Sequence, residues 1–196
     1  MIRYGARKIA VILLKEDIIN DGDKEIYEYG LELLISTVIN LLLVLMLSSF
    51  FRDIGQGILY FLVLATLRPY AGGFHASSYA RCGTLYSIIF IIIVCFSRFL
   101  NNFKINPAMF LLVLLINLCV IRKYAPVLHR NKLTDEEKMH AKKKAVSRCM
   151  AWIILTMAIW WIEQMWTCTI VLSITAITAL MAVRKGMEER RHEKGN

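Results

Sequence analysis

One polar segment separates two strongly apolar stretches near the middle of the chain: Arg68-Pro69-Tyr70-Ala71-Gly72-Gly73-Phe74-His75-Ala76-Ser77-Ser78-Tyr79-Ala80-Arg81-Cys82. Its proline lacks the backbone N–H that a continuing helix needs, and its two adjacent glycines permit backbone conformations that other residues avoid. We therefore predict a broken or re-entrant segment near residues 68–82, between one apolar helix and the next.

The composition indicates a membrane protein. Hydrophobic residues make up 57% of the 196 residues, and the mean hydropathy is +0.52, which exceeds what is usual for a soluble domain. We expect an all-α integral membrane protein that forms a single polytopic domain over residues 1–196. About six transmembrane helices are predicted, in the apolar runs 30–51, 54–67, 84–100, 107–121, 149–162 and 167–183. Only the first run clearly reaches the ~20 residues that a span needs, the others being near or below the lower bound of ~17 before flanking residues are added. The second and fourth runs are the doubtful ones.

The first 29 residues form a basic segment ahead of the first apolar run. Ile2, Ile9, Leu13 and Ile19 share one side of a helix, although other apolar residues fall elsewhere on its surface. The segment is either an amphipathic helix at the membrane interface or a basic leader that orients the first span. A secretory signal peptide is not expected, because the apolar run 9–14 is short and charged residues follow it.

The distribution of basic residues predicts the topology. If all six runs cross the membrane, 21 of the 24 Lys and Arg residues lie on the side of the N-terminus, and only Arg52, Arg98 and Lys104 do not. Because basic residues accumulate on the cytoplasmic side, both termini, the 122–148 loop and the 68–82 segment are predicted to be cytoplasmic. The net charge of +9 is explained by this orientation and by anionic lipid, and nucleic-acid binding is not expected.

Cys82 and His75 are the candidate catalytic pair. A thiol needs a neighbour that accepts its proton or stabilises its thiolate, and His75 is the nearest histidine, with Arg68 and Arg81 adding positive potential. On one straight helix, residues seven apart lie ~10 Å apart along the axis, so the chain must bend at Pro69 and Gly72-Gly73 for the pair to meet. The alternative is that His75 anchors at the headgroups and Cys82 packs as a small hydrophobic residue.

Several polar residues could supply a third, orienting group. Ser77, Ser78, Gln56 and Glu32 are candidates by polarity alone, and Asn40 is a further polar residue within an apolar run. Polar groups inside a span are candidates for function, although Glu32 is near enough to an interface to be a snorkelling residue. No metal or other cofactor is expected, since the chain lacks the His-Glu-x-x-His cluster of a metalloprotease, and its five cysteines show no zinc-binding spacing.

The longest polar segment, 122–148, contains a predicted helix start. Thr134 followed three residues later by Glu137 matches a capping box, and a basic helix with Lys142, Lys143, Lys144 and Arg148 should follow it. The helix is either a solvated basic element that sets the topology or a docking surface for an acidic peptide.

The string Arg-x-x-Ala-Gly-Gly-x-His-x6-Cys at residues 68, 71–73, 75 and 82 resembles the signature of the accessory gene regulator B (AgrB) family, membrane-embedded cysteine endopeptidases of quorum sensing. The likeness extends over the whole chain, from the basic N-terminal segment to the basic tail. One departure lies after Tyr124-Ala125-Pro126, where the family usually has an acidic residue and a further proline, but this chain has Val-Leu-His-Arg at 127–130. This departure bears on contacts between that loop and the substrate.

The resemblance implies the substrate and the chemistry. The substrate would be an AgrD-like propeptide, whose acidic C-terminal tail is released when Cys82 attacks with His75 as general base. A thiolactone or lactone ring would then close from the acyl-enzyme. The resemblance also implies a homodimer in the bacterial cell membrane. The alternative from the residues alone is a non-enzymatic transporter or peptide exporter, whose helix break would serve as a gate.

The predicted topology is tested by labelling Cys82 with a membrane-impermeant maleimide in a variant that lacks the other four cysteines. We expect no labelling in intact cells and labelling after permeabilisation, because the 68–82 segment is predicted to face the cytoplasm. Labelling of Cys82 in intact cells would place the segment on the outside and contradict the topology.

Overall fold

The fold comes from a computed structural model, which describes residues 2–16, 18–72, 79–126 and 134–193. These residues form seven α-helices and one short 3-10 turn, Asp21–Asp23. The helices are α1 (Ile2–Lys15), α2 (Lys24–Phe50), α3 (Ile54–Ala71), α4 (Tyr79–Asn101), α5 (Pro107–Tyr124), α6 (Asp135–Trp160) and α7 (Gln164–Glu193). The predicted all-α class is confirmed.

Four segments are long and apolar enough to cross a membrane: Lys24–Phe50, Cys82–Asn101, Pro107–Tyr124 and Gln164–Met187. The doubtful run 107–121 is therefore part of a helix of sufficient length. The runs 54–67 and 149–162 are parts of α3 and α6, which do not meet the same criterion among the described residues. Membrane crossing by α3 and α6, and with it the count of six, stays a prediction.

Helix α7 forms the centre of the bundle and packs against α3, α4, α5 and α6. Its buried residues recur at the spacing of one helical face and continue onto neighbouring faces, as expected for a helix surrounded by others. The buried apolar residues of α7 are Cys168, Ile170, Val171, Ile174, Ile177 and Met181. Because four helices share this surface, α7 fixes the relative positions of α3 and α4, which carry the 68–82 segment between them.

Helix α1 packs against α2, with its two small residues Ala6 and Ala10 fully buried. Arg3 Nε donates a hydrogen bond of 3.2 Å to Glu32 Oε1 of α2, and Glu32 is 5% exposed. Glu32 is therefore a buried, paired carboxylate, and the interpretation of it as a snorkelling residue is wrong. The described part of the N-terminal segment is an amphipathic helix docked on the bundle, and its place at the membrane interface stays a prediction.

Helix α6 is longer than predicted, because the basic part of the 122–148 segment and the apolar run 149–162 form one continuous helix. The predicted capping box is confirmed: Glu137 N–H donates to Thr134 Oγ1 at 3.3 Å, and Thr134 N–H donates to Glu137 Oε2 at 2.9 Å. Next to it, a hydrogen bond from the Lys138 ammonium lowers the pKa of the exposed Asp135 carboxyl. The start of α6 is thus defined by local polar interactions outside the apolar bundle.

Helices α2 and α3 approach closely through a glycine. A Cβ atom added at Gly57 would lie 1.8 Å from Ser48 Oγ and 2.8 Å from Ser48 Cβ, so no larger residue fits without displacing a helix. Ser48 is fully buried there, and its hydroxyl donates to Val44 O at 2.6 Å. Small residues at helix contacts serve the same purpose in many membrane proteins, because they let backbones approach.

Gly57→Ala should destabilise the bundle by roughly 1–3 kcal/mol, the usual cost of overpacking a close contact. The matched control is Gly30→Ala on α2, where an added Cβ meets nothing within 4 Å and alanine favours the helix. Thermal unfolding of the detergent-solubilised protein would measure both variants. Equal thermal midpoints for Gly57→Ala and the wild type would contradict the close α2–α3 contact.

Candidate active site at the junction of helices α3 and α4

The helix before the break ends at Ala71, with Gly72 as its C-cap residue, and not at Pro69. Helix α3 continues through Pro69 to Ala71, so the expectation that this proline stops the helix is wrong. The proline removes one backbone bond from α3, because it has no N–H to donate to the preceding turn, and the helix ends two residues later. Gly72 has φ 78° and ψ −155°, a conformation almost confined to glycine, and its N–H donates to Arg68 O at 3.0 Å.

Cys82 lies in the first turn of α4, which begins at Tyr79. No single helix therefore runs from 68 to 82, in agreement with the predicted break, while the re-entrant path stays a prediction. His75, Gly73, Ser77 and Ser78 lie outside the described residues. The side chain of Arg81 is not described either, so the predicted contact between His75 and Cys82 remains untested.

A guanidinium group contacts the candidate nucleophile. Arg68 Nη2 of α3 lies 3.2 Å from Cys82 Sγ of α4, although the two residues are 14 positions apart in the chain. A cation at this distance stabilises negative charge on the sulfur, which is the reactive form of a cysteine. The structure thus brings together two of the predicted site residues across the break, with the cysteine side chain half-buried.

Tyr86 contacts Arg68, and Tyr60 bonds the backbone of Tyr86. The guanidinium carbon of Arg68 lies 4.3 Å from the centre of the Tyr86 ring, a stacking geometry that favours arginine. The buried Tyr60 hydroxyl donates to Tyr86 O at 2.8 Å and ties α3 to α4 one turn beyond Cys82. Sequence reasoning missed both tyrosines. Tyr86 could have been found from the sequence, because it lies four residues after Cys82 and residues four apart share one face of a helix.

Gly83, the residue after the cysteine, contacts α2. A Cβ atom added at Gly83 would lie 2.7 Å from Asn40 Oδ1, so glycine lets the Asn40 amide reach the backbone next to Cys82. Asn40 belongs to a row of polar residues at intervals of four, together with the buried Ser36 and Glu32. Asn40, which the sequence indicated as a polar residue within an apolar run, is therefore close to the candidate site. Glu32 is about 12 Å further along α2.

Gln56 is too far away to orient the catalytic pair. It is fully buried in the first turn of α3, and its Nε2 lies 3.4 Å from Ser97 Oγ of α4. Ser97 is 15 helical residues beyond Cys82, which corresponds to about 22 Å along α4. The proposal of Gln56 as a third catalytic residue is therefore wrong, and its place is in a polar cluster at the other end of the bundle.

The four basic residues proposed as one docking surface face two directions. Arg148 Nη1 donates to Thr66 O at 3.0 Å, and the Arg148 guanidinium and the Lys144 ammonium lie 4.3 and 5.5 Å from the Tyr70 ring centre. This pair faces α3, near the helix break. Lys142 and Lys143 instead line a groove on another face of α6. Because a helix turns by about 100° per residue, lysines that are neighbours in the sequence point to different faces of α6.

Among the five cysteines, all of which the structure describes, Cys82 is the one whose sulfur lies beside an arginine. Cys149 and Cys168 are buried in the bundle, and Cys95 and Cys119 are exposed on the faces of α4 and α5. Among the residues that the structure describes, no group of three His, Cys, Asp or Glu side chains could hold a metal ion. The chemistry that this arrangement supports is nucleophilic attack by Cys82.

Comparison of the sequence with known proteins shows which family the chain belongs to. The sequence profile described as "Accessory gene regulator B" matches residues 6–182. An AgrB-like protein of Clostridium beijerinckii is 24% identical over 157 residues, which cover 80% of this chain and 74% of that protein. An AgrB-like protein 2 of Clostridium perfringens is 30% identical over 149 residues, 74% of this chain and 69% of that one. No solved structure matches this chain.

Arg68→Gln should lower the alkylation rate of Cys82 by roughly tenfold, because the thiolate loses a charge-assisted hydrogen bond. Arg98→Gln is the matched control on α4, the helix that carries Cys82. Arg98 also donates a hydrogen bond, to Phe51 O, and packs on an aromatic ring, but it lies far from Cys82. Rates would be measured by mass spectrometry with a small haloacetamide. Equal rates for Arg68→Gln and the wild type would contradict activation of the thiol by Arg68.

Proposed function

Since the chain belongs to the accessory gene regulator B family, we propose that it is a membrane cysteine endopeptidase that processes an AgrD-like propeptide in quorum sensing. It would remove the C-terminal tail of the propeptide and support closure of a thiolactone or lactone ring. The observation that carries this proposal is the contact between Arg68 and Cys82, because it supplies the positive charge that a nucleophilic cysteine requires.

In the proposed mechanism, His75 accepts the Cys82 proton and the sulfur attacks the carbonyl carbon before the tail. The C–N bond then breaks, the tail leaves with the proton from His75 on its new amino group, and the signal part remains as a thioester on Cys82. A cysteine or serine inside the propeptide attacks that thioester, and the ring closes as Cys82 leaves as a thiol or thiolate. Arg68 stabilises the sulfur whenever it carries negative charge.

The start of α4 offers donors for the oxyanion that forms during attack. The first four N–H groups of a helix have no partner within the helix, and Cys82 is the fourth residue of α4. The positive end of the helix dipole also points to this turn. Backbone N–H groups of this kind stabilise tetrahedral intermediates when they are fixed before the reaction.

The site is expected to lie slightly below the cytoplasmic boundary of the hydrocarbon core. Cys82 and Arg98 are separated by 16 helical residues, or about 24 Å of the ~30 Å thickness of that core. Arg98 and its partner Phe51 belong to the end of the bundle that the charge distribution places outside. A thiol at this depth, covered by α2 and α3, would form its thioester where little water can hydrolyse it.

The geometry narrows the proposed docking site for the acidic tail. Lys144 is exposed and lies beside Tyr70, two residues after Arg68, so a tail held there would extend from the helix break. Lys142 and Lys143 face another groove and are omitted from this role. We further propose a homodimer with both termini in the cytoplasm, as the family resemblance and the charge distribution imply.

Purified protein in liposomes, supplied with a synthetic propeptide that has an acidic tail, tests the proposal. We expect wild-type protein and the control Cys95→Ala to release the tail, whereas Cys82→Ala and His75→Ala release none and remain folded. A covalent adduct with the mass of the signal part should form on Cys82 before ring closure. Tail release by Cys82→Ala, or transport of intact propeptide without cleavage, would overturn the peptidase assignment.

A further inference from the structure

A groove with a volume of about 680 Å³ lies along one face of α6, next to the end of α5. Three cations lie toward one end, with the apolar Met139 one turn before the lysines on α6: Arg122 in the last turn of α5, and Lys142 and Lys143 of α6. Within the described part of the chain, no carboxylate lies within 4 Å of these three groups, since the ion pairs there join Arg3 to Glu32 and Lys138 to Asp135. The cationic end is therefore complementary to an anionic group.

The other end of the groove is apolar. Val146, Met150 and Ile154 follow the two lysines along the same face of α6, and the last two are 51% and 71% exposed. A row of exposed apolar side chains marks a surface that contacts lipid or another protein, and lipid is the occupant where α6 crosses the membrane as predicted. From Lys143 to Ile154 the helix rises about 16 Å, close to the ~15 Å of one half of the hydrocarbon core.

We propose that this groove binds one anionic phospholipid of the cytoplasmic leaflet. Its phosphate would contact Arg122, Lys142 and Lys143, and an acyl chain would lie along Val146, Met150 and Ile154. A hydrophilic acidic peptide would satisfy the cations but not the apolar half, whereas a phospholipid matches both. The site is separate from the Cys82 site, because the face of α6 that contacts α3 carries Arg148 instead.

The test uses the full-length protein in micelles with added phosphatidylglycerol or phosphatidylcholine, with lipid binding measured by native mass spectrometry. Wild-type protein should bind phosphatidylglycerol more tightly. Lys142→Gln/Lys143→Gln should weaken this binding by about tenfold, since each basic residue near the membrane surface contributes to the attraction of anionic lipid. The matched control Lys8→Gln/Lys15→Gln removes the same charge from exposed positions of α1, outside the groove, and should bind like the wild type.

A second variant tests the apolar half with the cations intact. Ala151→Trp would fill the exposed floor of the groove and should also weaken phosphatidylglycerol binding, while binding of inorganic phosphate should not change. Equal losses in both lysine double variants would reduce the site to general electrostatic attraction and overturn the proposal. Wild-type lipid binding by Lys142→Gln/Lys143→Gln, with reduced binding of an acidic peptide, would assign the groove to a peptide instead.

Discussion

The contact between the Arg68 guanidinium and the Cys82 sulfur connects the two helices on either side of the break. It requires that α3 end in a fixed position relative to the first turn of α4, because a 3.2 Å contact tolerates little displacement. Stacking of Arg68 on Tyr86, and the bond from Tyr60 to the Tyr86 carbonyl, hold the same pair of helices one turn further on. The packing of α7 against both helices keeps this arrangement within the bundle.

The two ends of the bundle have different chemistry, although both contain polar groups. At one end, Gln56, Ser97 and Thr169 form a buried cluster of neutral hydrogen-bonding groups, which connects helices without titratable side chains. At the other end, Arg68 faces Cys82, and Arg3 pairs with Glu32. Glu32 is the buried charge of this end, and its carboxylate is paired with Arg3, because a charge inside a low-dielectric bundle needs a partner.

The sequence was informative wherever a property depends on neighbours along the chain. The capping box of Thr134 and Glu137 is local, and so is the requirement for glycine at residue 72, because both follow from backbone geometry within one turn. Pro69 was misjudged, because a proline inside a helix removes one backbone bond without always ending the helix, and α3 continues to Ala71. The continuous α6 was missed because the apolar and basic halves differ in composition, although nothing interrupts the backbone between them.

By itself the sequence determined an all-α membrane protein with a break between residues 68 and 82, because apolar length, basic residues and glycine act through general solvation and local geometry. The tertiary structure decided which polar groups meet. Gln56 and Asn40 are both polar residues in apolar helices, yet packing places only Asn40 beside the cysteine. Packing also decides that Arg68 contacts the Cys82 sulfur and that the lysines of α6 face two directions. The rotation of each helix and its contacts with other helices depend on the whole bundle.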